Sequence, residues 1–320
     1  MISRSGGHTR RAASRRCGPA LAVTLILAAS SVPSLAAEAE QKSFSSPKAA
    51  AKALVDAVRA RGNATLLKIL GPGSKELVSS GDDVADRRAR ERFVKEYDEV
   101  NRIEQVGETE AILYIGPDDW QFPIPLVKQG ARWRFDTHEG KEEILNRRIG
   151  RNELNTIQVC LAYVDAQREY YLKNPTGDGV LQYAQKFLSG KGKQRDGLHW
   201  ETGPGEEPSP LGPLIAEARA EGYSLEPSAG RPVPYYGYAY RILKAQGKDT
   251  PGGAYEYVVS DRMIGGFALV AFPAQYGSSG VMTFIVNHDG VVYQKDLGPK
   301  TEAIAQGMTE FNPDSTWMRL

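Results

Sequence analysis

The chain has 320 residues, with 40 Lys and Arg against 39 Asp and Glu, 41% hydrophobic residues and two cysteines. That length supplies two ordinary domains or one large one. A net charge of +1 gives no electrostatic footprint for nucleic acid, and two cysteines exclude a disulfide scaffold, a zinc ribbon and an iron–sulfur protein.

The first residues read as an address. Arg4, Arg10, Arg11, Arg15 and Arg16 come without any acid, the apolar run Ala20–Ala29 follows, and the small residues Ser34 and Ala36 occupy the places a signal peptidase reads. This pattern predicts a secretory signal peptide over residues 1–36. The apolar run is too short for a stable span of about 20 residues. Cys17 precedes that run, whereas a lipobox cysteine would follow it. A cut after Ala36 leaves 35 basic against 39 acidic residues, in a periplasmic or secreted protein with no stable membrane anchor. Cys160 then remains alone in the apolar run Ile157–Leu161, where a core position is expected.

From Phe44 the pattern is helical. Ser45 or Ser46 can cap a helix whose first position suits Pro47, and Ala50, Leu54, Val55 and Val58 recur on one face. A second helix is expected over Ala64–Leu70 and a densely charged third from Asp82 to about Val100. Strands are predicted at Glu110–Ile115, Phe122–Lys128 and Ala131–Asp136, with Trp133 and Phe135 inward; Pro123 and Pro125 push the middle one towards an edge or a bulge. Residues 44–140 thus read as an α+β unit whose element order resembles the cone fold of the nuclear-transport-factor type. That resemblance implies a curved antiparallel sheet around a helix.

Residues 141–320 read as a second unit. Lys141–Ile149 is helical, Gly150 allows a break, and Asn152 can cap a restart carrying Leu154, Ile157, Leu161 and Val164 as the apolar stripe. Loops follow to about residue 235, interrupted by a short helix over Pro213–Glu221. Strands are then expected at Tyr235–Leu243, Tyr255–Val259, Gly266–Phe272, Val281–Asn287 and Val291–Lys295, the last two joined by a turn at Asn287-His288-Asp289-Gly290. A long helix packed on an antiparallel sheet makes this half α+β as well.

Six long strings carry a family resemblance: EEILNRRIGRNELNTIQVCLAYVDAQREYY from Glu142, KQRDGLHW from Lys193, SPLGPLIAEA from Ser209, PYYGYAYRILKAQG from Pro234, GGFALVAFPAQYG from Gly265 and SGVMTFIVNHDGVVYQKDLG from Ser279. Together they resemble the exported bacterial family known as domain of unknown function 2950, over roughly residues 44–317. The resemblance implies export and brings no activity. The second half also resembles the soluble headgroups of type IV pilin-like proteins, although no pilin leader opens the chain.

The chemistry-bearing residues are few. His138-Glu139 lacks the second histidine of a zincin, so no metal site is expected. His288 fits its turn, and no Gly-x-Ser-x-Gly elbow or phosphate-cradling loop is present, so no cofactor is expected. Arg195–Glu201 gathers Asp196, His199, Trp200 and Glu201, which could form a general-base centre or simply begin a strand. Tyr236, Tyr238 and Tyr240 alternate onto one strand face and, beside Trp200, could stack on a sugar or a peptide; a packed sheet explains the same spacing. Two further expectations compete with a binding or scaffolding module for an envelope protein, peptide or glycan. One is a periplasmic hydrolase built on Asp196, His199 and Glu201. The other is an apolar ligand inside the N-terminal cone, against Phe93, Trp133 and Phe135.

Overall fold

The computed structural model describes residues 41–190, 192, 194–224 and 233–320; the signal peptide predicted over residues 1–36 lies outside the described residues. Helix α1 (Pro47–Arg59) starts where the sequence places it. Ser46 Oγ accepts from Ala49 N at 3.1 Å and Pro47 opens the first turn, which is the arrangement a helix start favours. Ala50, Leu54, Val55 and Val58 form its buried face. Helix α2 (Asn63–Leu70) and a single turn, α3 (Lys75–Val78), follow. Helix α4 (Asp83–Glu99) buries no residue completely, but its half-buried Phe93, Val94 and Tyr97 pack against the first hydrophobic cluster. Exposed ion pairs add to that: Asp98 pairs with Arg59, and Glu91 lies 3.2 Å from Arg61.

The first sheet follows the order β1 (Asn101–Val106), β2 (Glu110–Ile115), β4 (Leu126–Gln129), β5 (Arg132–Phe135), with β3 (Trp120–Gln121) paired to the end of β2. Strand β2 alternates, burying Ala111, Leu113 and Ile115. Of the strand expected at Phe122–Lys128, only Leu126–Lys128 is strand, within β4, while β3 ends before Phe122. Pro123 and Pro125 cannot donate to a ladder, so pairing stops between Gln121 and Leu126. Strand β1 was not expected; it is exposed along almost its whole length and so lacks the apolar alternation that marks a strand. Trp133 and Phe135 point inward as expected, at 6% and 1% exposure, and join α1 and α2 in one hydrophobic cluster.

Helix α5 (Thr137–Lys173) has 37 residues, about 55 Å of axis. Its start lies against the first sheet so closely that a Cβ at Gly140 would come 2.3 Å from Pro123 O. Gly150 does not interrupt it, a correction to the expected break. Half of the expected stripe holds, with Val164 buried and Ile157 packed against the core, but the buried face is rotated from the other half. Leu154 is 67% exposed and Leu161 37%, while Val159, Cys160, Tyr163, Val164, Ala166, Gln167 and Tyr170 are buried. Two fully buried polar residues disguise the true face: Gln167 exchanges hydrogen bonds of 2.8 Å with the backbone of Ala184 in both directions, and Thr156 meets Tyr240. Such partners let polar side chains occupy core positions. Cys160 is fully buried, and burial pushes its thiol up to about 12.

After helix α6 (Gly212–Ala220), strand β6 (Tyr238–Leu243) enters a second antiparallel sheet. Two small ribbons interrupt the chain: β7 (Ala245–Gln246) with β8 (Tyr255–Glu256), and β9 (Val258–Val259) with β10 (Arg262–Met263). The sheet is completed by β11 (Ala268–Pro273), β12 (Met282–Asn287), β13 (Val292–Asp296) and β14 (Met318–Arg319), in the order β14-β13-β12-β11-β6. The turn after β12 closes as expected, with Gly290 N donating to Asn287 O at 2.9 Å and Gly290 at φ +79°. All six residues of β11 are buried, because α5 and helix α7 (Thr301–Gly307) both lie against it. The molecule is therefore α+β, with a long helix packed on a C-terminal antiparallel sheet.

A buried carboxylate and a half-buried guanidinium join the first sheet's helices to the second sheet. Asp82 caps α4, its Oδ1 accepting from Val84 N at 3.1 Å and Ala85 N at 2.9 Å; its Oδ2 accepts from Tyr223 Oη and Gly237 N, both at 2.9 Å. Arg148 of α5 donates to Glu76 O at 2.7 Å and Leu77 O at 3.0 Å. One helical turn further along, Asn152 donates to Ser279 O and Glu153 accepts from Val281 N and Met282 N, so α5 also grips the β11–β12 loop. Asp82→Asn keeps the size but turns one acceptor into a donor facing Gly237 N–H. It should cost about 2–3 kcal/mol of stability. Urea unfolding checks this, with Asp83→Asn, on an exposed neighbour, expected to stay within about 0.5 kcal/mol of the parent.

Candidate functional site

The segment around His199 is fixed by a short parallel pairing. His199 N donates to Phe187 O and Ser189 N to His199 O, both at 2.8 Å, and Leu211 N reaches back to Leu198 O at 3.0 Å. These bonds bring the start of α6 against the His199 ring. Gly212 N donates to Ser209 O at 2.7 Å, which turns the chain into the helix. The result is a cleft of about 310 Å³ whose walls include His199, Trp200, Glu201, Ser209, Pro213 and Arg219.

His199 is only 9% exposed. Its Nδ1 lies 2.9 Å from Ser209 Oγ. Its Nε2 is buried, lies 3.6 Å from Glu201 Oε1, beyond hydrogen-bond reach, and has no hydrogen-bond partner among the described residues. Glu201 is held by Arg219, whose two terminal nitrogens approach the two carboxylate oxygens at 2.5 and 3.4 Å. That pairing is the main reason the Glu201 carboxyl lies below its usual range. Trp200 packs edge-on against Tyr170 at 6.5 Å, with the Arg195 guanidinium 5.3 Å from its ring centre.

The sequence expectation that Asp196, His199 and Glu201 converge is only half met. Glu201 does approach the ring, but Asp196 closes a different loop, accepting from Lys186 Nζ and from Gly190 N. Ser209 and Arg219 take the places around His199 and Glu201 instead. Ser209 lies ten residues beyond the histidine inside a proline-rich stretch, and nothing in its local sequence separates it from a turn serine.

The tyrosine strip does not present one face. Tyr235 and Tyr238 exchange backbone hydrogen bonds of 2.9 and 3.1 Å, with Tyr236 at φ +52° and Gly237 at φ +75°. Those are the central residues of a tight hairpin turn with both φ positive, so β6 begins only at Tyr238. Tyr238 is fully buried, donating to Met282 O at 2.9 Å, and Tyr240 Oη lies 3.2 Å from Tyr235 O. Burial pushes both phenols up. Tyr236 instead lies with its ring tilted 36° against that of Tyr235 at 4.2 Å, and Tyr235 meets Tyr223 at 5.0 Å. In the first sheet Phe122 fills the interior, 5.6 Å from Phe93 and 6.1 Å from Phe135, so side chains stand where an apolar ligand was expected.

His138 is exposed, and His288 sits in its turn with Tyr257 at 5.6 Å and Phe267 at 6.2 Å. Among the described residues no three His, Cys, Asp or Glu side chains converge as metal ligands, and no helix is long and apolar enough to cross a membrane. A larger groove of about 550 Å³ runs between α4 and the junction of α1 with α2. Several of its charges already have partners: Arg61 pairs with Glu91, and Asp86 accepts from Ser80 N and Oγ.

Fold and cleft together define an α+β protein of two antiparallel sheets sharing one long helix. Over residues 41–320 the chain matches the family described as protein of unknown function (DUF2950), and it belongs to that family. No curated protein and no solved structure matches it.

Burial holds the His199 imidazole below its ordinary pKa of 6.5, against the opposing charge of Glu201. The ring is neutral at pH 7. Below about pH 6.5 the unfolded chain therefore binds a proton that the folded chain still refuses, and stability falls as the pH drops through that window. Unfolding free energies at about pH 7.5 and about pH 5 should differ less in His199→Gln than in the parent. An unchanged difference would show that the ring is not held neutral.

Proposed function

We propose that this protein is an exported envelope protein that works by binding, and that its ligand enters the cleft between His199 and Arg219. One observation carries the reading: His199 lines the cleft, and its Nε2 is buried with no hydrogen-bond partner among the described residues. A polar atom in that condition costs free energy until something completes it. Trp200, Pro213 and Ile215 give the cleft apolar walls around a few polar groups, the usual make-up of a small-ligand site. Export rests on the basic leader, the short apolar run and the small residues before Ala37. The separate hydrophobic clusters of the two sheets support a division into domains over residues 44–140 and 141–320.

The Ser209–His199 contact favours a second reading, hydrolysis with Ser209 as nucleophile and His199 as base. Against it, Ser209 is only 2% exposed, so its hydroxyl is closed to a substrate. Ser209→Ala separates the two, since it would abolish turnover of a hydrolase and leave a binding cleft occupied.

Selective labelling of histidine rings tests the binding reading, because only His138, His199 and His288 remain after Ala36. A screen of small polar fragments should shift the His199 ring signals and leave those of His138 in place. His199→Gln and Trp200→Ala should each weaken the hits about tenfold. Fragments that shift all three rings alike, or none, would overturn it. Recovery of a mature chain beginning at Ala37 from the envelope fraction tests export.

A further inference from the structure

We propose that the cleft recognises a carboxylate, and that Glu201 is the chain's own stand-in for it. The inference rests on the binding reading above and adds the chemistry of the ligand. The tautomer of His199 is its starting point. Ser209 Oγ can donate to or accept from Nδ1, so that contact alone leaves the proton's place open. Glu201 Oε1, 3.6 Å from Nε2, decides it: a negative charge on that side favours the proton on Nε2. Nε2–H is then a donor without an acceptor, in a ring 9% exposed.

The other polar groups of the cleft point the same way. Arg219 offers a planar fork suited to two carboxylate oxygens. The α6 start carries no side-chain cap, so the positive end of the helix is not answered there. Among the ionisable residues lining the cleft, Glu201 is the one acid. It engages Arg219 and approaches Nε2, tracing the position a ligand carboxylate would take.

Glu201 is also easy to displace. Its side chain is 75% exposed, and a surface ion pair of this kind contributes little. An incoming carboxylate would exchange one partner of Arg219 for another and add the hydrogen bond to Nε2 that Glu201 is too far away to make. Trp200 and Pro213 would flank whatever apolar or ring-bearing body the carboxylate carries.

The test uses N-benzoylglycine and its neutral amide, two probes alike except for the charged group, titrated into the protein while the His199 ring signals are followed. The acid should bind at least about tenfold more tightly than the amide, the ratio expected for a charge-assisted pair. Glu201→Gln removes the competitor and should tighten the acid about threefold to tenfold while leaving the amide unchanged. Arg219→Gln should abolish the preference for the acid. Equal binding of acid and amide at His199 would overturn the carboxylate inference and leave the cleft intact as a site. Failure of the acid to bind would overturn it too, the cleft then being judged by the fragment screen alone. A preference for the acid that Glu201→Gln does not increase would overturn the stand-in role.

Discussion

The carboxylate of Asp82 holds together parts of the chain that are distant in sequence. It accepts four hydrogen bonds, two from the first turn of α4 and two from Tyr223 and Gly237. That fills the acceptor capacity of a carboxylate. Burial raises its pKa, since a charge loses its water there, and the hydrogen bonds from Ala85, Gly237 and Tyr223 work in the opposite direction. Arg148 is the cationic counterpart. Burial lowers its pKa, and backbone carbonyls at Glu76 and Leu77 replace its water. Among the described residues neither charge forms a salt bridge. Both are satisfied largely by backbone groups, so they fix the position of main chain rather than of one mobile side chain.

The constraint explains an otherwise costly turn. Tyr236 holds φ +52°, a left-handed conformation that penalises a residue with a Cβ by about 1–2 kcal/mol. The turn delivers Gly237 N–H to Asp82 and packs Gly237 so tightly that a Cβ would stand 2.6 Å from Asn152 Nδ2. The same turn starts β6, places Tyr238 in the core and leaves Tyr236 against Tyr235. Strain at one tyrosine is thus linked to the junction of both sheets with α5.

Much of the fold was legible because its determinants are local. Ser46 and Pro47 announce α1, the alternation from Glu110 to Ile115 announces β2, and Asn287–Gly290 announces the β12–β13 turn. The rotation of α5 was not, since Thr156 and Gln167 are polar by type and buried by partnership, and those partners, Tyr240 and Ala184, lie elsewhere in the chain. Strand β1 failed for the converse reason: it earns its place by backbone pairing with β2 while its side chains stay exposed. Tyr236 reads as a strand residue from the sequence because period-two spacing says nothing of the φ angles that end a strand.

The cleft was half legible for a related reason. The run from Arg195 to Glu201 is dense enough in chemistry to draw attention, yet density in sequence is not convergence in space. Asp196 sits three residues from His199 and answers Lys186, whereas Ser209 and Arg219, much further along, meet His199 and Glu201. What brings them there is backbone: the bonds from His199 to Phe187 and from Leu211 to Leu198 fold the connecting segment back so that α6 starts beside the imidazole. Because those anchors are main-chain hydrogen bonds, the shape of the cleft is set by backbone rather than by the side chains that line it. The indole of Trp200 keeps its packing against Tyr170 and the fork of Arg219 its pairing with Glu201, and of the three Nε2 of His199 alone is left without a hydrogen-bond partner among the described residues.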